Sequence, residues 1–185
     1  MIYKAIEASL ITPSPSELRA RLGGLNDVPT RLREELSLCI RPAYVAERVE
    51  LKRTSDGIFI GELFTKSEAL MRVSAGFERC FLLVCTLGVG ADRLIDKYSR
   101  LSPADAFMLD ALSDAYVESL CDIAEDELCP GFDKHTRFSP GYADLELSFG
   151  EKIIRVLDAE RILGIKLTDS GMMIPKKSVN AIVFV

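Results

Sequence analysis

The residues best suited to chemistry lie at positions 137–142, where the sequence reads Arg-Phe-Ser-Pro-Gly-Tyr. Pro140 fixes its own φ and disfavours helical angles at Ser139, whereas Gly141 accepts angles that other residues avoid. We therefore predict a preorganised loop, outside any regular element, that holds Arg137 and Tyr142 in fixed relation. Arg137 can bind a carboxylate through two parallel hydrogen bonds, and Tyr142 can stack on a ring. In the structural alternative, Arg137 bridges to an acidic helix and Tyr142 packs in the core.

A row of carboxylates forms the second candidate group. Ser102-Pro103 has the residue types of an N-cap and a first helical position, and it predicts a long helix that ends near Leu128. One face of that helix carries acids at i, i+4 and i+8: Asp110, Asp114 and Glu118. Like charges at this spacing repel unless they are screened, which favours a solvated stripe. The open alternative is that one carboxylate binds a cationic group, such as a sulfonium or an α-amino group.

A Gly-Val-Gly sequence at residues 88–90 separates a predicted strand from a predicted helix. Such a turn can bind phosphate, because bare backbone approaches the ligand and the helix N-terminus favours anions. The third glycine of the dinucleotide-binding pattern is missing, and Asp92 stands two residues after the second glycine. Packing of a tight turn is therefore favoured over a phosphate site.

Composition limits the classes of partner and compartment. The 185-residue chain has a net charge of −5 and a pI of about 5.1, which disfavours binding to nucleic acid or anionic lipid. No apolar run approaches the roughly 20 residues that span a bilayer, and the N-terminus lacks a signal-peptide pattern. These features predict a cytoplasmic protein with no membrane partner. Five irregularly spaced cysteines and one histidine, His135, favour free, mostly buried thiols over a disulfide framework or a metal site.

The pattern of apolar residues and turn signals predicts one domain over residues 1–185. The apolar run at 80–86 predicts a central strand that is buried on both faces. Further strands are predicted at residues 3–11, 43–52, 58–64, 165–174 and 178–185. Helices are predicted at residues 16–24, 30–39, 67–77, 91–100 and 102–128, and from a capping box at 148–151 to a glycine stop at 164. This order predicts an α+β fold in which helices pack on an antiparallel or mixed twisted sheet.

The motif at 137–142 and the segments after it resemble the activation domain of cobalamin-dependent methionine synthase. That family has the same Arg-x-x-Pro-Gly-Tyr loop, followed by a helix with a leucine and glycine seven residues apart, here Leu157 and Gly164. A Leu-Thr-x-Ser strand follows, matched by residues 167–170, and a Met-x-Pro segment leads into an apolar strand, here residues 173–183. The resemblance covers residues 105–185 well and residues 1–100 loosely.

The resemblance implies a role in rescuing oxidised cobalamin. In the family, this domain binds S-adenosylmethionine and supports a one-electron reduction of cob(II)alamin that is coupled to methyl transfer. The cobalamin is carried by the partner protein, and a flavodoxin or a similar carrier donates the electron. The chemistry therefore belongs mainly to the cofactor, while the protein supplies orientation and electrostatics.

The resemblance also assigns the residues that bind S-adenosylmethionine. Arg137 holds the carboxylate, the backbone near Ser139 contacts the amino-acid portion, and Tyr142 lines the face presented to the corrin. An acid of the long helix takes the amino group or the sulfonium, and two residues compete for that role. The full implied set is Arg137, Ser139, Gly141, Tyr142, Asp114 and Glu118, with no metal ligand and no catalytic residue.

The chain departs from the family in ways that shape the expected function. It ends at Val185, where the family's domain continues, and it has no counterpart of the family's N-terminal ligand contact. It also lacks homocysteine, folate and cobalamin-binding modules. We therefore expect an accessory protein that acts in trans on a methionine synthase or another corrinoid protein. Two alternatives stay open: a module that docks or senses S-adenosylmethionine without methyl transfer, and an unrelated enzyme that uses the acidic helix face with Arg137.

Overall fold

The computed structural model of the chain describes residues 1–23, 27–131 and 136–185. Gly24, the predicted end of the first helix, and His135 lie outside these residues. The elements are, in chain order, β1 (Ile2–Ala5), a 3-10 turn (Ala8–Leu10), α1 (Pro15–Arg21), α2 (Thr30–Cys39), β2 (Ala43–Thr54), β3 (Gly57–Ile60), β4 (Leu63–Thr65), α3 (Glu68–Val73), β5 (Arg79–Thr86), α4 (Val89–Leu101), α5 (Pro103–Leu128), β6 (Thr136–Phe138), α6 (Ser148–Val156), α7 (Ala159–Leu163), β7 (Lys166–Leu167), β8 (Met173–Ile174) and β9 (Ser178–Phe184).

An antiparallel sheet organises the chain. Its strands are ordered β4–β3–β2–β5–β9–β6, and β1 pairs with the first residues of β2. The central strand β5 lies between β2 and β9 and is buried from its second residue onward. A strand covered on both faces needs apolar side chains at successive positions, which is why the run at 80–86 predicted it correctly. The predicted α+β fold, with helices packed on an antiparallel sheet, is confirmed.

Each face of the sheet has its own hydrophobic core. On one face, α5 packs with α1, α2 and α4 over Leu83 and Cys85 of β5. On the other face, α6 and α7 cover Leu82 and Val84 of the same strand. Because successive side chains of a strand point to opposite faces, β5 supplies alternate residues to the two cores.

Helix α5 begins and ends where the sequence predicted. The Ser102 hydroxyl accepts a hydrogen bond from the backbone N–H of Asp105 at 3.4 Å, and Pro103 occupies the first turn. Along most of its length the helix is buried against β5 and β9 on one side and α1, α2 and α4 on others. Within the described residues, neither α5 nor any other helix is long and apolar enough to cross a membrane.

Some strand predictions were wrong in detail. The strand predicted at 3–11 ends at Ala5 and is followed by the 3-10 turn. The strand predicted at 58–64 is interrupted at Gly61, where a φ of 58° turns the chain between β3 and β4. The strand predicted at 165–174 is a short hairpin of β7 and β8. Apolar composition identified each β region, but it does not show where a chain turns back within one.

The helix predictions also needed correction around α3 and α6. Helix α3 ends at Val73, four residues earlier than predicted. The predicted capping box at 148–151 does not form, because the Ser148 hydroxyl donates to Glu146 and Leu147 occupies the N-cap position. The helix that was predicted to continue to Gly164 breaks at Asp158, whose φ is 48°, into α6 and α7.

The Gly-Val-Gly turn before α4 packs closely against the end of α2. A Cβ atom on Gly90 would lie 2.0 Å from the backbone carbonyl oxygen of Cys39, so no side chain fits there. Gly88 has a φ of 75°, and its own Cβ would meet Arg41 at 3.5 Å. This contact with backbone favours the packing interpretation over a phosphate site.

Replacing Gly90 with alanine is expected to lower the free energy of unfolding by about 1–3 kcal/mol, because the added methyl group must push the end of α2 away from α4. Urea denaturation followed by circular dichroism measures the change. Arg93→Ala is the matched control, since Arg93 is exposed on the same helix. Equal stability of the two variants would contradict the close approach.

Candidate functional site

The Arg-x-x-Pro-Gly-Tyr motif begins in a strand and continues into a turn. Arg137 lies in β6 and pairs with Val183 of β9, so the prediction that the whole motif is irregular was wrong at its first two residues. The backbone N–H of Tyr142 donates to the carbonyl of Ser139 at 3.1 Å, which closes a turn around Pro140. Gly141 has a φ of 90°, which other residues rarely adopt. The turn therefore fixes the strand that carries Arg137 relative to the exposed end of the motif.

Arg137 reaches across to α5 and binds two of its carboxylates. Its Nη1 lies 2.8 Å from Oε1 of Glu125, and its Nη2 lies 2.5 Å from Oε2 of Glu118. The side chain of Glu125 is 7% exposed and that of Arg137 is 22% exposed, so the pair is largely shielded from solvent. Burial opposes the guanidinium charge, but the nearby carboxylates of Glu125 and Glu118 hold the pKa of Arg137 above its ordinary value. This bridge to an acidic helix is the arrangement that the structural alternative described.

The carboxylate row on α5 faces cations from distant parts of the chain. The Nζ atom of Lys177 lies 2.7 Å from Asp110 and 2.6 Å from Asp114, and the lysine side chain is only 9% exposed. Arg21 of α1 lies 3.3 Å from Asp114 and 3.9 Å from Glu118. The acids of this row therefore form ion pairs within the protein and are not screened by solvent alone. Repulsion between acids at i and i+4 is offset because each has a cation within 4 Å.

The structure brings together some of the predicted site residues and separates others. Glu118 contacts Arg137 directly, whereas Asp114 is held by Lys177 and Arg21 one helical turn away. Tyr142 is 60% exposed and meets Phe138 edge-on, with ring centroids 6.2 Å apart, so it is not a core residue. Its exposed ring can contact a partner or a ligand on the outer side of the turn.

Asp144 stabilises the segment after the motif, and sequence reasoning missed it. Its carboxylate accepts hydrogen bonds from the hydroxyl of Ser67 at 2.5 Å and from the backbone N–H groups of Glu68 at 2.7 Å and Ala69 at 3.2 Å. These donors, with Ser67 contributing most, hold the pKa of Asp144 below its ordinary value. Asp144, two residues after the motif, thus ties this segment to Glu68 at the start of α3, which lies 76 positions earlier in the chain. No local sequence pattern links such distant positions.

Asp144→Asn is expected to lower the melting temperature near pH 7 and to flatten its dependence on pH in the acid range. Because the folded-state pKa of Asp144 is depressed, its stabilisation is present above the unfolded-state pKa and is lost as the pH falls through the folded-state value. Thermal melts between pH 2 and pH 7 measure both effects. Glu146→Gln, two residues away, serves as the control. A variant as sensitive to acid as the wild type would contradict the assignment.

Two buried thiols, those of Cys85 and Cys121, lie near the Arg137 side chain. Cys85 of β5 and Cys121 of α5 are fully buried, and burial together with the contact between the two sulfurs raises the pKa of Cys85 well above its ordinary value. Cys129, at the end of α5, is also buried, and burial raises its pKa to about 11. The thiols of Cys85 and Cys129 therefore stay protonated and act as small apolar groups. No cluster of potential metal ligands occurs among residues 1–23, 27–131 and 136–185.

The chain has the fold of a methionine synthase reactivation domain. Among solved structures it is similar to a crystal structure of the MetH reactivation domain bound to AdoHcy, with a TM-score of 0.70 and 19% sequence identity. The match covers 100% of this chain and 78% of that chain. At this identity the similarity establishes the architecture, and AdoHcy is the ligand of that other protein.

The sequence match to a family is more local. Residues 124–185 match the family described as vitamin B12 dependent methionine synthase, activation domain. The matched segment contains the motif at 137–142 and extends through β9. The resemblance to this activation domain that the sequence predicted is therefore confirmed. No curated protein sequence matches the chain.

Proposed function

We propose that this protein binds S-adenosylmethionine and supports the reductive reactivation of a cobalamin-dependent methionine synthase or a related corrinoid protein. One observation carries the proposal most directly. Arg137, which lies inside the family-matched segment 124–185, meets Glu118 of α5 at 2.5 Å beside the turn of the Arg-x-x-Pro-Gly-Tyr motif, on the fold of a reactivation domain.

The paired charges are complementary to the head group of an amino acid. Arg137 would bind the α-carboxylate and Glu118 the α-amino group, so that a zwitterion replaces the ion pair with two new charge-assisted hydrogen bonds. Arg21, whose Nη2 lies 3.9 Å from Glu118, would continue to offset part of the negative charge of Glu118 when the ligand replaces the ion pair. This favours Glu118 over Asp114 as the acid, because Asp114 is already held by Lys177.

The turn would present the bound ligand to the partner. Backbone groups of Ser139 and Gly141 would contact the amino-acid portion, and the exposed ring of Tyr142 would face the corrin. Cobalamin, carried by the partner, would supply the reduced cobalt that accepts the methyl group. The electron would come from a flavodoxin-like or other carrier, and S-adenosylhomocysteine would be the product. We propose a cytoplasmic location for the protein, together with its partner.

A reactivation assay tests the proposal. A methionine synthase without its own activation domain is converted to the cob(II)alamin form and mixed with S-adenosylmethionine, reduced flavodoxin and this protein. We expect methionine formation to recover only when all components are present. Tyr142→Ala should reduce the recovery of activity without abolishing ligand binding. The control Tyr3→Ala, which removes an exposed tyrosine on β1, should leave the recovery unchanged.

A second candidate function is a module that docks on a corrinoid protein or senses S-adenosylmethionine without supporting methyl transfer. The observation that favours it is the satisfied state of Arg137, which already has two carboxylate partners within the chain. Calorimetry with S-adenosylmethionine separates the outcomes. Binding with recovery of synthase activity supports reactivation, and binding without recovery supports sensing. The absence of both binding and recovery supports docking alone or an unrelated chemistry.

A further inference from the structure

A cleft lies beyond the C-terminal end of α5. The helix ends at Leu128, while the strands beneath it continue, so part of the same sheet face is left without a helix over it. The space there has a volume of about 450 Å³ and is walled by Phe81, Leu128 and Pro130. It therefore combines an apolar wall with charged side chains, because Arg48, Glu78 and Arg79 also line it.

Two arginines on neighbouring strands line this cleft. Arg48 of β2 pairs with Phe81 of β5, and Arg79 lies two residues before Phe81. Residues in this diagonal relation share one face of the sheet and lie about 7–8 Å apart, within reach of long side chains. Both side chains are therefore directed to the face of the sheet that α5 covers elsewhere.

The charges of Arg48 and Arg79 are not neutralised by close ion pairs. Neither guanidinium has a carboxylate within 4.0 Å among residues 1–23, 27–131 and 136–185, in contrast to Arg21 and Arg137. Glu50 is opposite Arg79 in the register and Glu78 also lines the cleft, but neither forms an ion pair with Arg48 or Arg79. Two like charges that share one cleft repel, and an oxyanion between them removes that repulsion.

We propose that this cleft binds a small organic oxyanion, a phosphate or a carboxylate carried on an apolar body. Planar guanidinium groups bind both kinds of oxyanion with paired hydrogen bonds. Phe81, Leu128 and Pro130 provide contact surface for a ring or a short hydrocarbon group. The site is separate from Arg137 and does not depend on the function proposed for that residue.

Phenyl phosphate and benzoate are suitable probes, because they carry the same ring on the two kinds of oxyanion. Isothermal titration calorimetry on the full chain should show saturable binding of at least one probe with a stoichiometry of one. Arg48→Gln and Arg79→Gln should each weaken it by about tenfold to a hundredfold, the range for a charge-assisted hydrogen bond. Arg100→Gln, an exposed arginine at the end of α4, should leave the affinity unchanged. The preferred probe identifies the oxyanion.

The proposal fails if neither probe binds at millimolar concentration, or if the two cleft variants bind as the wild type does. Circular dichroism confirms that each variant is folded, and both arginines are exposed, so their loss should not unfold the chain. S-adenosylmethionine is included as a further titrant. Binding of S-adenosylmethionine that depends on Arg137 but not on Arg48 or Arg79 would show that the two sites are distinct.

Discussion

Replacing Arg137 with alanine is expected to lower the free energy of unfolding by about 3 kcal/mol, the low end of the range for removing one partner of a buried ion pair. The guanidinium compensates the charges of Glu118 and the nearly buried Glu125. Chemical denaturation monitored by circular dichroism measures the loss.

Two variants distinguish this expectation from a general effect of losing a surface charge. Arg161→Ala removes an exposed arginine that pairs with Asp158, and it should change stability by less than about 1 kcal/mol. Glu125→Gln, combined with Arg137→Ala, should recover part of the stability, because the carboxylate is removed with its partner. A single variant Arg137→Ala as stable as Arg161→Ala would show that the pair with α5 does not stabilise the fold.

The second large effect concerns ligand affinity and uses a variant that preserves the charge. Arg137→Lys keeps a cation beside Glu118 and Glu125 but cannot form two parallel hydrogen bonds with a carboxylate. We expect it to weaken binding of S-adenosylmethionine by about tenfold to a hundredfold, the equivalent of one charge-assisted hydrogen bond. Isothermal titration calorimetry provides the measurement.

The matched control for this measurement is Arg161→Lys, which makes the same change at an exposed ion pair far from the motif in sequence. Its affinity should equal that of the wild type. If Arg137→Lys binds S-adenosylmethionine as tightly as the wild type does, Arg137 does not hold the carboxylate, and the docking interpretation gains support. Adenosine, which lacks the amino-acid portion, should bind the wild type and Arg137→Lys equally.

The sequence predicted the elements whose signals are local. Ser102 and Pro103 indicated the start of α5, and the apolar run at 80–86 indicated the central strand. Helix capping and burial on both faces each require particular residue types at adjacent positions, so both can be recognised locally. The predictions failed where short apolar segments turn back, as at Gly61 and in the β7–β8 hairpin. In such segments the residue types are compatible with one continuous strand or with two short strands joined by a turn.

The residues of the candidate site could be predicted from the sequence, but the ion pairs between them could not. The motif and the acidic row were both visible in the sequence, yet nothing local showed that Arg137 binds Glu118 and Glu125, or that Lys177 binds Asp114. These contacts join positions 12 to 63 residues apart, and they depend on how α5 lies across the sheet. The assignment of the ligand contacts remains a prediction.

Arg21 gives the N-terminal segment a structural role that its weak resemblance to the family does not suggest. Helix α1 places this arginine beside Asp114 and Glu118 of α5, and Leu18 and Leu22 are buried next to it. A protein trimmed before α2 would lose both the cation shared by two acids and an apolar cover over α5. Deletion studies that seek a minimal ligand-binding fragment should therefore retain the first 23 residues, because Asp114 and Glu118 of α5 depend on Arg21 for part of their charge compensation.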